Sequence, residues 1–124
     1  MQGALELDHT SGARILGVTV YGDLEAKNAK GTADPLSSGS NVICNTTVHG
    51  NLEVQNSHGG VGWNIGGCGA NTVDGNLDFH GNHGHGNTVS NNHVRGDLSC
   101  AADGGIRKSS NHVSGSAIGQ CKPA

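Results

Sequence analysis

Asn41-Val42-Ile43-Cys44-Asn45-Thr46-Thr47-Val48-His49-Gly50-Asn51-Leu52 returns almost position for position as Asn87-Thr88-Val89-Ser90-Asn91-Asn92-His93-Val94-Arg95-Gly96-Asp97-Leu98. The two stretches align without a gap, and the aliphatic residues fall at the same offsets. The core of the match is a short word: an aliphatic residue, any residue, Gly, Asn or Asp, then Leu. It recurs as Val20-Tyr21-Gly22-Asp23-Leu24 and Val73-Asp74-Gly75-Asn76-Leu77. Weaker copies stand at Met1-Gln2-Gly3-Ala4-Leu5 and Val113-Ser114-Gly115-Ser116-Ala117. The key glycines are Gly3, Gly22, Gly50, Gly75, Gly96 and Gly115, spaced 19, 28, 25, 21 and 19 residues apart. A fixed word returning at intervals of this size marks a repeat architecture.

Each copy extends on both sides. Two residues after the Leu stands another small or apolar residue: Leu7, Ala26, Val54, Phe79, Cys100. Upstream, Ile15 and Ile43 hold one offset from their valines, while Ile65 and Ile106 lie a few residues further away. Every repeat thus offers three apolar patches between Gly-, Asn- and Ser-rich corners. The patches are too short and too β-branched for helices. Alternation with period 2 turns the Leu and the residue two later to one face. One coil cannot bury that face alone, but stacked coils can, in aliphatic ladders about 4.8 Å apart. The expected fold is all-β: a parallel β-helix, or β-solenoid, of about six coils of 19–28 residues, with three short strands per coil. A right-handed path is the expected one. Positive φ at the Gly-Asn and Gly-Asp corners is the expected reason for those residues.

Composition points the same way. The chain has 124 residues and 22 glycines, but one each of Trp, Tyr, Phe and Met, so no aromatic globular core is available. The expected organisation is a single domain, 1–124, with degenerate N-terminal coils over 1–40 and well-matched repeats over 41–121. Varying loops around Asp34-Pro35 and Ser57 to Trp63 account for unequal coil lengths. The net charge is −3 and 14% of residues are charged, without a basic run, so nucleic acid is not an expected partner. No apolar stretch approaches the ~20 residues that span a bilayer. Met1 to Gly17 carries Glu6, Asp8 and His9 where a signal peptide would be apolar, so a secreted form would have lost its leader.

Asn71-Thr72-Val73-Asp74-Gly75-Asn76-Leu77 and Val48-His49-Gly50-Asn51-Leu52-Glu53-Val54-Gln55-Asn56 resemble the tandem NTVxGNLxV units of certain secreted actinobacterial proteins. Trp63-Asn64-Ile65-Gly66 and Gly119-Gln120-Cys121 resemble further features of that group. The resemblance covers about residues 41–121 and implies a secreted β-solenoid without implying an activity. A looser resemblance, through the repeated Gly-x-Leu words, is to bactofilins, which are polymer-forming solenoids with shorter, more regular coils.

The four cysteines follow from the stacking. Cys44 lies four residues before Val48 and Cys68 five before Val73; Cys100 and Cys121 lie six and eight residues past Val94 and Val113. Adjacent coils bring such positions within disulfide reach, so Cys44–Cys68 and Cys100–Cys121 are the expected bridges. Each would close a loop of roughly 20–25 residues, worth about 3 kcal/mol in the chain-entropy description. Paired cysteines point to a secreted, extracellular or cell-surface protein. Reduced buried thiols are the alternative; a four-Cys zinc site lacks its CxxC pair.

Other chemistry is thin. His80, His83 and His85 could wrap a transition metal in their Gly-rich loop, and solvated loop histidines are the plainer expectation. His93 and His112 precede ladder valines and should stack outward. Glu6, Glu25, Glu53 and Asp78 form a column of outward carboxylates; a solvated acidic face is the plainer expectation, and a bound cation such as calcium or an opposed Lys would relieve the repulsion. Asp74 and Arg95 share a repeat position and could pair. No cofactor is expected. Three functions follow in order. The first is a self-assembling structural module, either a filament subunit or a cell-surface component. It would associate through its ends, because the repeat runs from residue 1 to Cys121 with little visible capping. The second is an adhesion module for a glycan or surface partner, using Trp63, His58, His80, His83 and His85. The third is a small polysaccharide-acting enzyme. Protonating all eight histidines moves the formal charge from −3 to +5, so association should change between about pH 5 and 8.

Overall fold

The computed structural model describes residues 3–8, 14–27, 30–31, 41–56, 58–59, 63–82, 87–101 and 106–121. These residues form strands and turns without a helix. A lone strand, β1 (Leu5–Asp8), comes first. The first complete coil is β2 (Arg14–Leu16), β3 (Thr19–Val20) and β4 (Leu24–Lys27), followed by the short β5 (Lys30–Gly31). The second is β6 (Asn41–Cys44), β7 (Thr47–Val48) and β8 (Leu52–Gln55), followed by β9 (His58–Gly59). The third is β10 (Trp63–Ile65), β11 (Thr72–Val73) and β12 (Leu77–His80). The fourth is β13 (Asn87–Ser90), β14 (His93–Val94) and β15 (Leu98–Ala101). The fifth is β16 (Ile106–Ser109), β17 (His112–Val113) and β18 (Ala117–Gly119).

Corresponding strands pair in parallel and build three sheets. A six-stranded leucine sheet runs β1-β4-β8-β12-β15-β18, a five-stranded valine sheet β3-β7-β11-β14-β17, and a five-stranded isoleucine sheet β2-β6-β10-β13-β16. β5 and β9 pair separately beside them. The β-solenoid read from the repeats is therefore present, with three strands per coil. The six expected copies appear as the six strands of the leucine sheet; five coils are complete, making four coil-to-coil steps.

Register carries each repeat position straight up the stack. Leu5, Leu24, Leu52, Leu77, Leu98 and Ala117 form one column. Val20, Val48, Val73, Val94 and Val113 form a second. Ile15, Ile43, Ile65 and Val89 form a third. Together with Ala26, Val54, Phe79 and Cys100 these columns make the core. From the second coil to the fourth the aliphatic members are at most 1% exposed. Ile106 departs from expectation: it pairs with Asn87, two positions before the isoleucine column, and Lys108 stands opposite Val89. Ile65 lies further from its valine because the segment between the isoleucine and valine strands, which contains Gly67-Cys68-Gly69, is three residues longer here than in the second and fourth coils.

The glycines of the repeat word are needed for a different reason from the one the composition suggested. Gly22, Gly50, Gly75, Gly96 and Gly115 do not have positive φ. Each instead lies against the glycine of the coil before it: a Cβ on Gly75 would sit 2.7 Å from the Gly50 carbonyl oxygen. Positive φ occurs instead at Gly17 (65°), Asn45 (52°), Gly66 (89°), Asn91 (60°) and Ser110 (56°), where the isoleucine strand turns into the valine strand, at Asn56 (55°), Gly81 (67°) and Gly119 (67°) after the leucine strand, and at Gly3 (85°) of the weak first copy.

Both expected disulfides are present. Cys44–Cys68 has a Cα separation of 5.7 Å and Cys100–Cys121 one of 5.2 Å. The first uses the three-residue insertion to reach across one coil, and the Cys68 amide also donates to Cys44 Sγ at 3.2 Å. Among the described residues no helix is long and apolar enough to cross a membrane.

Candidate binding face

Residues that alternate with the core columns point outward, and two sheets present ordered outward columns. On the leucine sheet Glu6, Glu25, Glu53, Asp78 and Ser99 stack in register, as the alternation requires. Like charges at this spacing repel. The next outward column supplies the relief: Lys27 Nζ lies 3.2 Å from Glu25, Gln55 donates to Glu53 at 3.2 Å, and His80 Nδ1 lies 3.0 Å from Asp78. Each of these partners stands two residues beyond its carboxylate on the same strand. Hydrogen bonding and then the charge of Glu25 hold the Lys27 ammonium above its ordinary pKa, with Glu6 and Glu53 adding to the effect. Three carboxylates are thus engaged by side chains of the sheet itself.

Of the candidate residues named from the sequence, Trp63 and His80 have described side chains, and these face opposite ways. Trp63, expected as a sugar-stacking ring, is corrected by its position. It alternates with Ile65 on the inward face of β10 and is 1% exposed, so its ring belongs to the core. The signal was available, because Trp63 stands two residues before a ladder isoleucine. His80 faces outward and is engaged by Asp78. His58 lies on β9, and its side chain is outside the described part of the structure; His83 and His85 also lie outside the described residues. Among the described residues, no group of three or more His, Cys, Asp or Glu side chains is placed to hold a metal ion.

The valine sheet carries the more organised face. One outward column runs Thr19, Thr47, Thr72, His93, His112, in register. A second, just past each ladder valine, runs Tyr21, His49, Asp74, Arg95, Ser114. In the second column Tyr21 and His49 stack with ring centroids 4.9 Å apart. His49 Nδ1 meets Asp74 Oδ2 at 2.8 Å, and Arg95 Nε lies 3.5 Å from Asp74 Oδ1. Asp74 and Arg95 therefore pair across coils, as their shared repeat position suggested. Asp74 is held from both sides, while the Arg95 side chain remains 76% exposed.

In the first column the His93 and His112 rings lie 5.6 Å apart, tilted by 39°. Between the columns is a shallow depression of about 420 Å³ lined by Thr72, His93, Val94, Arg95, His112 and Ser114. Two imidazoles, one guanidinium and two hydroxyls converge there, and no carboxylate is among the lining residues. Sequence reading placed both histidines outward and paired Arg95 with Asp74. It did not join them into one site, because they lie 19–21 residues from their counterparts on neighbouring coils.

No family model, curated protein or solved structure matches this chain.

Proposed function

We propose that this protein is a secreted, non-catalytic structural module, a rigid β-solenoid that associates end to end with further copies of itself. The observation that supports this is the opening of the apolar columns at the two outermost coils. Leu5, Leu7 and Val18 at one end, and Ile106, Val113 and Ala117 at the other, are only partly covered. The exposed large apolar residues among those described also sit in outermost coils: Leu16 at 47% and Tyr21 at 58% in the first complete coil, Ile118 at 47% in the fifth. Among the described residues, β16, β17 and β18 each pair with another strand on one side only, which leaves an edge open to strand addition. A second copy brings a coil with the same column spacing, so Leu5 of one molecule can continue the column that ends at Ala117 of another. Two inter-coil disulfides favour an oxidising compartment, and the likeness to secreted actinobacterial repeats points there too.

Sedimentation velocity over a concentration series, with electron microscopy of the same samples, tests this. Growth along the rod axis is expected, and Ile118→Lys, which places a charge on the edge strand, should suppress it. A strictly monomeric protein at every concentration would reject end-to-end association.

A further inference from the structure

The depression on the valine sheet has a chemistry that the structural role leaves unused. Arg95 contributes a guanidinium whose one described ionic partner, Asp74, contacts Nε at 3.5 Å, and its side chain is otherwise largely in solvent. His93 and His112 stand in the same repeat position on β14 and β17, side by side and exposed. Thr72 and Ser114 place hydroxyls at the flanks, with Val94 between them. The surrounding charges do not cancel this set. Asp74 is shared between His49 and Arg95. Asp97, beyond the Gly96 corner, accepts from the Ser116 amide at 2.9 Å. The site is open and shallow, whereas sites for free small molecules are concave and bury most of the ligand. The group it suits is therefore one displayed on a longer chain.

We propose that this face binds the sulfate or carboxylate groups of an acidic saccharide. Arg95 supplies a permanent positive charge, and His93 and His112 supply ring N–H donors beside it. Thr72 and Ser114 hydrogen-bond the neighbouring sugar hydroxyls. Guanidinium matches the planar fork of a carboxylate or the oxygens of a sulfate. This inference is independent of end-to-end association, since it uses a lateral face of the solenoid.

The experiment is amide-resolved NMR titration of the intact disulfide-bonded protein. The probes are a heparin-derived oligosaccharide, a galacturonate oligomer and inorganic sulfate. Shifts should concentrate at Thr72, His93–Arg95 and His112–Ser114. Binding of at least one oligomer should be about tenfold tighter than that of inorganic sulfate. The heparin and galacturonate arms tell sulfate from carboxylate recognition. His93→Gln with His112→Gln, and separately Arg95→Gln, should each weaken oligomer binding. His80→Gln, on the other sheet, should leave it unchanged. Affinity for inorganic sulfate equal to that for the oligomers would overturn the saccharide assignment. So would shifts scattered over all three faces, or wild-type binding by the double glutamine variant. Zinc titration that moves only the two histidines, with no response to either oligomer, would make the pair a metal site and overturn the anion proposal.

Discussion

Two corners of this solenoid are both lined with Asn or Asp, and they use those side chains in opposite ways. At the corner after the valine strand, Asp23, Asn51, Asn76 and Asp97 each accept with Oδ1 from the backbone amide of the next coil. The donors are Asn51, Asn76, Asp97 and Ser116, at 2.8–2.9 Å. Only an acceptor is needed, so Asp and Asn alternate freely. At the corner before the valine strand, Asn71, Asn92 and Asn111 both accept and donate. Asn71 Oδ1 accepts from the Thr46 amide at 3.0 Å, and its Nδ2 donates to the Ile43 carbonyl at 2.8 Å and to Asn92 Oδ1 at 3.0 Å. Asn92 Nδ2 donates to the Ile65 carbonyl at 3.0 Å and to Asn111 Oδ1 at 3.1 Å. Asn111 Nδ2 continues to the Val89 carbonyl at 2.9 Å. Asn71 and Asn92 are fully buried. A carboxylate has no proton to give there, and this column accordingly contains no Asp. The lesson is that the hydrogen-bonding role, more than the turn itself, selects the residue.

The sharpest way to break this comparison is Asn92→Asp. It removes two donors and sets a buried charge against the Ile65 carbonyl and Asn111 Oδ1. A loss of about 3–5 kcal/mol is expected in urea unfolding followed by circular dichroism. A loss no larger than an exposed substitution gives would show that the buried ladder is not selective.

Next in size is the bridge at the same corner. Cys44→Ser combined with Cys68→Ser should cost about 3 kcal/mol by the same assay, because the 24-residue separation is no longer constrained in the unfolded chain. Gly75→Ala probes the open corner, where a Cβ meets the Gly50 backbone and the coils must separate. About 1–3 kcal/mol is expected, measured as a fall in the urea midpoint. The smallest effects belong to Asn76. Asn76→Asp keeps the acceptor for the Asp97 amide and should stay within about 0.5 kcal/mol. Asn76→Ala removes it and should cost about 1 kcal/mol. Equal losses for the two variants would refute the acceptor-only role of this column.

The coil architecture and both disulfides were legible in the sequence because in-register parallel pairing carries a repeat position directly into a spatial column. The offset of Leu52 from Val48 recurs as that of Leu98 from Val94, and the two leucines occupy one column. The candidate site was much less legible. Trp63 drew attention as a rare aromatic, although its alternation with Ile65 already turned it inward. For the His93, Arg95 and His112 groove, shared repeat positions turned each side chain outward, but only the stacked coils show that two neighbouring columns border one depression.

The sequence by itself determined the coil count of the leucine sheet, the identity of its inward columns and the disulfide pairing. Each follows from a two-residue alternation multiplied by a recurring offset. Only the tertiary structure decided why the corner glycines are glycine, where positive φ falls, and which polar side chains meet. Those depend on how closely one coil approaches the next and on contacts between residues 19–28 positions apart, as from Asn111 to Asn92 and from Asn51 to Asp23. The local chain has no means of encoding that distance until the coils are stacked.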